Sequence, residues 1–252
     1  MSNATQTSEN TKLCSLMRSG MDDWHLPRSA ISFGAGPRQV PAPKHERPVQ
    51  LMMQTALAKG PSSHGTKTHL MTLRKLYRDS LEQGGEAVSR ALGNADAELA
   101  HNAKNHLALM YKGSLLTMVG DALLSAAKRR DYIRSGVAMM DNALATKGHP
   151  PASIWELTYV RATTLAMLPA SMGRDAEAYG ALLSLHQADA FSQQAPFDQA
   201  RCLCLLACAA EASGDPSVAR ARFVEARRID EALAVKTYSD WADRDASGAD
   251  QG

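Results

Sequence analysis

The chain has 252 residues, 44% hydrophobic, 21% charged and 5% aromatic, with a formal net charge of +2, long enough to bury a substantial core without disulfide or metal staples. The near balance of charge argues against a protein held mainly by phosphate contacts, which demand concentrated Lys and Arg, and so against nucleic acid as the principal partner. The longest apolar stretch, Leu203–Ala210, falls far short of the roughly 20 residues that cross a bilayer, and no membrane insertion is expected.

The four cysteines are Cys14, Cys202, Cys204 and Cys208. Three of them crowd one apolar segment, a spacing unlike a disulfide framework. The opening stretch MSNATQTSENTKLCSLMRSG lacks the apolar core of a secretory signal. Together these features predict a reducing, cytoplasmic location.

Six of the eleven prolines (Pro27, Pro37, Pro41, Pro43, Pro48 and Pro61) precede residue 65, with no sustained helical or alternating pattern. Residues 1–50 therefore read as a disordered arm, since too little periodic apolar surface is present to offset the entropy of ordering it. Within it, Met21 to Leu26 (MDDWHL) is a cluster of bulky side chains and a candidate docking motif. Residues 51–65 read as a linker, with Leu51 to Ala58 as a possible short helix. The segment Gly60 to Thr68 partly matches a phosphate-binding loop, but Thr66 separates the second glycine from Lys67 and no buried strand precedes it.

From Thr66 to about residue 238 helix is the only regular structure expected. Leu70, Leu73, Tyr77 and Leu81 form one apolar stripe at three- and four-residue steps, and Ile133, Val137, Met140 and Leu144 form another. Gly84-Gly85 and Gly93-Asn94 are expected to interrupt the pattern. Ser153 to Glu156 reads as a capping box after Pro150-Pro151, and Asp215-Pro216 as a cap followed by proline in the first turn. Short loops between such helices imply antiparallel pairs. Lys128-Arg129-Arg130 reads as a solvated helix end, and Asp240, Asp243, Asp245 and Asp250 make residues 239–252 an acidic, frayed tail.

No metal or cofactor site is expected. Cys204 and Cys208 share a helix face, but Cys202 points elsewhere and no CxxC pair or nearby histidine completes a tetrahedral set. His101 and His106 lie five residues apart on a helix, about 140° from a common direction. No nucleophile elbow or catalytic triad is recognisable, so the chain is read as more plausibly a non-enzyme.

In Ala200 to Asp230, Leu206-Ala207 is followed by Gly214-Asp215 and then by Ala219, Phe223 and Ala226. This resembles the tetratricopeptide repeat: small residues where two helices touch, a glycine turn between them, and a large residue plugging the space between pairs. The phase recurs at Leu165-Ala166, Gly173, Ala178, Leu182 and Leu185. It recurs again at Gly113, Gly120, Gly136, Met140 and Ala143, provided Ala122 to Tyr132 is an insertion between the two helices. Tyr111 to Leu116, Tyr132 to Gly136, Arg161 to Thr163, Leu168-Pro169 and Gly173-Arg174, within about residues 95 to 187, resemble a group of bacterial tetratricopeptide-like proteins of largely unassigned function. Those proteins have an elongated link between paired helices. The pattern is also similar to the helical T component of some solute transporters, a secreted lipoprotein whose signal this opening stretch does not show.

The resemblance implies an all-α, tetratricopeptide-like solenoid of antiparallel helix pairs, three units plus an added N-terminal pair, with a concave groove lined by the first helix of each pair. Its phase assigns to the groove Leu107, Met110, Ser114 and Thr117, then Val160, Thr163, Met167 and Ala170, then Arg201, Cys204, Cys208 and Glu211. The set lacks the Lys/Asn pattern by which chaperone-binding members clamp a terminal carboxylate. The function implied is binding of a protein or peptide, as an adaptor, assembly factor or chaperone. The alternative is an intracellular enzyme or regulator that takes a small molecule in the same groove.

Overall fold

The computed structural model describes residues 66–121 and 125–244. The arm, the Met21 to Leu26 cluster, the 51–65 linker and the tail beyond Arg244 lie outside the described residues. Among these residues the fold is all-helical, with nine α-helices: α1 Thr66–Gln83, α2 Gly85–His101, α3 His106–Asp121, α4 Ala126–Ala145, α5 Pro151–Ala166, α6 Asp175–Gln187, α7 Pro196–Ala212, α8 Pro216–Ile229 and α9 Glu231–Asp243.

Helix ends follow local chemistry. Gly84 and Gly85, with φ of 62° and 47°, separate α1 from α2 in backbone conformations that L side chains rarely adopt. Gly214, at φ 79°, closes α7 while the Asp215 N–H donates back to Ala210 O at 2.9 Å, a six-to-one closure of the last turn. The Asp215 carboxylate then caps α8 by accepting from Val218 N at 3.1 Å, with Pro216 in the first turn.

The main packing contacts are between helices one or two apart in the chain. The pairs are α1 with α2, α3 with α4, α5 with α6, and α7 with α8. Each following odd-numbered helix lies on both members of the pair before it, so α3 meets α1 and α2, α5 meets α3 and α4, α7 meets α5 and α6, and α9 meets α7 and α8. This arrangement explains the apolar run in α7. With neighbours on every side, Ala200 to Ala210 is buried without interruption, and the helix has no polar face to show.

Small residues sit where axes approach. A Cβ on Gly113 would lie 2.6 Å from Gly136 O, and one on Gly136 would lie 2.4 Å from Gly113 O, so α3 and α4 touch backbone to backbone. Ala178, Ala219 and Ala226 are likewise buried, while Phe223 is half-buried and tilts against Tyr238 at 5.2 Å.

Several sequence expectations are corrected. Gly93-Asn94 does not break α2, which runs through both residues. Ala126 to Tyr132, read as an inserted link, forms the first turns of α4, and Gly120 is a helix-contact residue against Arg129 O, Tyr132 and Ile133 rather than a turn. The capping box does not form, because α5 starts at Pro151 with Pro150 as its cap and Ser153 already inside the helix. The helical body extends past residue 238: α9 continues through Asp243, so Asp240 and Asp243 belong to a helix. The physical reason is Arg244, whose guanidinium donates to Ala166 O at 3.1 Å and to Asp175 at 3.0 Å and lies 4.4 Å from the Trp241 ring centre. At the other charged run, Lys128 and Arg130 are exposed and Arg129 is half-buried.

Candidate functional site

The described residues enclose a cleft of about 280 Å³ formed by the odd-numbered helices. α1 supplies Arg74, Tyr77, Arg78 and Leu81; α3 supplies Tyr111; α5 supplies Trp155, Glu156 and Tyr159. Phe197 and Asp198 from the first turn of α7 close one end, with Gln194 and Ala195 before them. Their spacing follows the helix period: Arg74 and Arg78, Tyr77 and Leu81, and Trp155 and Tyr159 are each four residues apart and so share a face. Of the chain's four Phe, three Trp and six Tyr, five line this cleft, which makes it the aromatic concentration of a chain poor in aromatics.

Two ion pairs cross it. Arg74 donates from Nε and from one terminal nitrogen to the two Glu156 oxygens, both at 2.6 Å, and the Tyr111 hydroxyl donates to the same carboxylate at 2.5 Å. This two-pronged geometry raises the Arg74 pKa above its ordinary value, with the Glu156 hydrogen bond as the main cause. Arg78 donates to Asp198 at 2.5 Å, and its guanidinium carbon lies 5.5 Å from the Phe197 ring centre. Burial pushes the Asp198 carboxyl above its ordinary range, against the pull of Arg78. Burial likewise raises the Tyr111 and Tyr159 phenols.

The walls are braced from below. Trp155 and Tyr159 stack at 4.9 Å with rings 13° from parallel, and Tyr77 tilts on Tyr111 at 4.7 Å. Beneath them a chain of hydroxyls links three helices: Tyr77 to Ser114 at 2.9 Å, Ser114 to Thr164 at 2.7 Å, and Thr164 donating to Val160 O at 2.7 Å.

None of the twelve residues assigned to the groove from the repeat phase lines this cleft. Leu107, Met110, Val160, Cys204 and Cys208 are buried among helices, as are Ser114, Thr117, Thr163 and Arg201. Met167 is half-buried at the end of α5, Ala170 is exposed on a short turn, and Glu211 is half-buried and accepts from the Tyr238 hydroxyl at 3.2 Å. The physical reason is that each first helix has neighbours on several sides. The phase finds the faces that touch those neighbours, and the open strip lies beside them. The cleft lies on α1, α3, α5 and α7 and is lined by residues other than these twelve. Glu156 was legible only as a cap. Arg74, Arg78, Trp155, Tyr159 and Asp198 went unread, although charge and aromatic side chains at four-residue steps on first helices were the available signal.

Thiol chemistry has no place in the cleft. Cys202, Cys204 and Cys208 are free and buried; Cys204 donates to Ala234 O at 3.2 Å, and burial pushes the Cys202 thiol up to about 12. Among the described residues no group of three or more His, Cys, Asp or Glu side chains could hold a metal ion, and no helix is long and apolar enough to cross a membrane.

No family model matches the chain, and no curated protein or solved structure matches it significantly.

Proposed function

We propose that the helical body is a tetratricopeptide-like solenoid, and that the chain works as a protein- or peptide-binding adaptor, assembly factor or chaperone through the cleft between its first helices. The observation that carries the reading is the gathering of five aromatic side chains and two cross-cleft ion pairs on helices α1, α3, α5 and α7. Aromatic and arginine side chains are the types that dominate binding energy at interfaces. The regular order of the main contacts, with each odd helix from α3 onward seated on the preceding pair, supports the solenoid. The three free thiols suit a reducing compartment such as the cytoplasm.

The enzyme alternative has less behind it. No Ser, Cys, His or Lys lines the cleft, and each of its carboxylates is held by an arginine. Selection from a displayed peptide library on the full chain tests the binding reading. Binders should be lost in Leu81→Glu and Trp155→Ala variants that retain wild-type helicity. Binders indifferent to both substitutions, or no binders at all, would remove the cleft as the site.

A further inference from the structure

The four charges of the cleft divide into a fixed set and a movable set. The Asp198 and Glu156 side chains are 14% and 18% exposed, whereas Arg78 and Arg74 reach 45% and 40%. The acids are therefore the desolvated partners that require a cation, and the arginines are long side chains already half in water. The two acids also differ. Glu156 is gripped by both prongs of Arg74 and by Tyr111, while the guanidinium on Asp198 donates through one nitrogen. Asp198 is the acid whose cation can be exchanged at least cost.

The surroundings select the sign of the ligand. Aromatic faces carry negative charge density, so they attract cations and repel anions. Arg78 over Phe197 is such a contact made within the chain. We propose that the cleft recognises a basic side chain, the guanidinium or ammonium of an Arg or Lys in a peptide partner, which replaces Arg78 on Asp198 and on the Phe197 ring. The exchange conserves charge: one cation enters, and Arg78, half-exposed beforehand, is released to solvent. The aliphatic stem of the entering side chain has the half-buried Trp155 ring on the cleft wall to lie against. An acidic side chain could draw on the exposed Arg74 or Arg78 heads only by taking them from Glu156 or Asp198, which would leave a largely buried carboxylate unpaired.

This inference rests on the cleft being the binding site, and the experiment separates the two. The full chain is titrated with N-acetyl-arginine amide, N-acetyl-lysine amide, N-acetyl-norleucine amide and N-acetyl-glutamate amide. Binding is followed by NMR at the Trp155 indole, assigned with Trp155→Phe. Saturable shifts are expected with the two basic probes alone. Arg78→Ala, which removes the internal competitor from an exposed position, should tighten arginine-amide binding about fivefold, the value of one exposed ion pair. Asp198→Asn should abolish it. Weaker or unchanged binding in Arg78→Ala overturns the proposal. So does the absence of any shift with the basic probes. A glutamate or norleucine probe that binds at Trp155 in their place overturns it too, while leaving the cleft as a binding site.

Discussion

Replacing Gly136 by alanine adds one methyl group where α3 and α4 meet backbone to backbone. The new Cβ would lie 2.4 Å from Gly113 O, 2.8 Å from Thr117 Cγ2 and 3.2 Å from Thr117 N. A carbonyl oxygen in a helix cannot turn aside like a side chain, so the axes must separate by about 1 Å, enough to forfeit a quarter to a half of each contact's attraction along the crossing. Overpacking of this kind costs about 1–3 kcal/mol, and alanine returns about 1 kcal/mol of helix propensity. The expected net loss is up to about 2 kcal/mol, or a fall in Tm of up to about 8 °C for a body of this size. Gly180→Ala is the matched control: the same substitution inside α6, with nothing within 4 Å of the added Cβ, should stabilise by about 0.5–1 kcal/mol. Urea melts of the full chain, followed by far-UV circular dichroism, give both values. If Gly136→Ala stabilises the chain as Gly180→Ala does, the close crossing is not there.

Phe223→Ala should cost about 2–3 kcal/mol, below the usual figure for a fully enclosed phenylalanine because the ring is half-buried against Tyr238; Arg220→Ala, on the exposed side of α8, should stay within about 0.5 kcal/mol. Arg244→Ala strips donors from Ala166 O and Asp175 and should destabilise by about 2–3 kcal/mol in the same melts, with Arg244→Lys a poor rescue because one ammonium cannot reproduce the planar fork. A near-neutral Arg244→Ala would show that the end of α9 is not anchored there. Burial, and then the Arg222 charge, hold the His186 pKa below its ordinary 6.5, with Nε2 accepting from Arg222 at 2.9 Å. The unfolded ring takes up its proton first as pH falls, so the stability present above pH 6.5 drains away between 6.5 and the lowered folded value. Relative to His186→Gln, wild type should therefore lose urea stability as the pH falls below 6.5, and parallel pH dependence in the two chains would refute this.

Much of the scaffold is readable from short-range rules. The stripe of Leu73 and Tyr77, the Asp215-Pro216 start and the small residues at Gly113, Gly136, Ala219 and Ala226 are local signals, and each sits in the structure where its size or capping chemistry requires. The misreadings are also local. Gly93-Asn94 looks like a stop, yet α2 keeps its hydrogen bonds through it because tertiary packing outweighs propensity. The cleft is a different kind of object. Arg74 and Glu156 are 82 residues apart, and Arg78 and Asp198 are 120 apart, so their pairing depends on how the odd helices are stacked. A repeat phase marks where helices touch. An open strip is defined by the neighbour that is missing, and no local pattern reports that.

The hydroxyl chain beneath the cleft has a mechanical consequence. Apolar side chains slide past one another at little cost, whereas hydrogen bonds are lost within a fraction of an ångström of misalignment. Tyr77, Ser114 and Thr164 thus pin α1, α3 and α5 in one axial register. α7 carries no member of this chain and reaches α1 through the Arg78–Asp198 pair at the surface. Three walls of the cleft are tied to one another by hydrogen bonds, while the fourth, which carries Phe197 and Asp198, takes its position from packing against α5, α6, α8 and α9 and from its ion pair to α1.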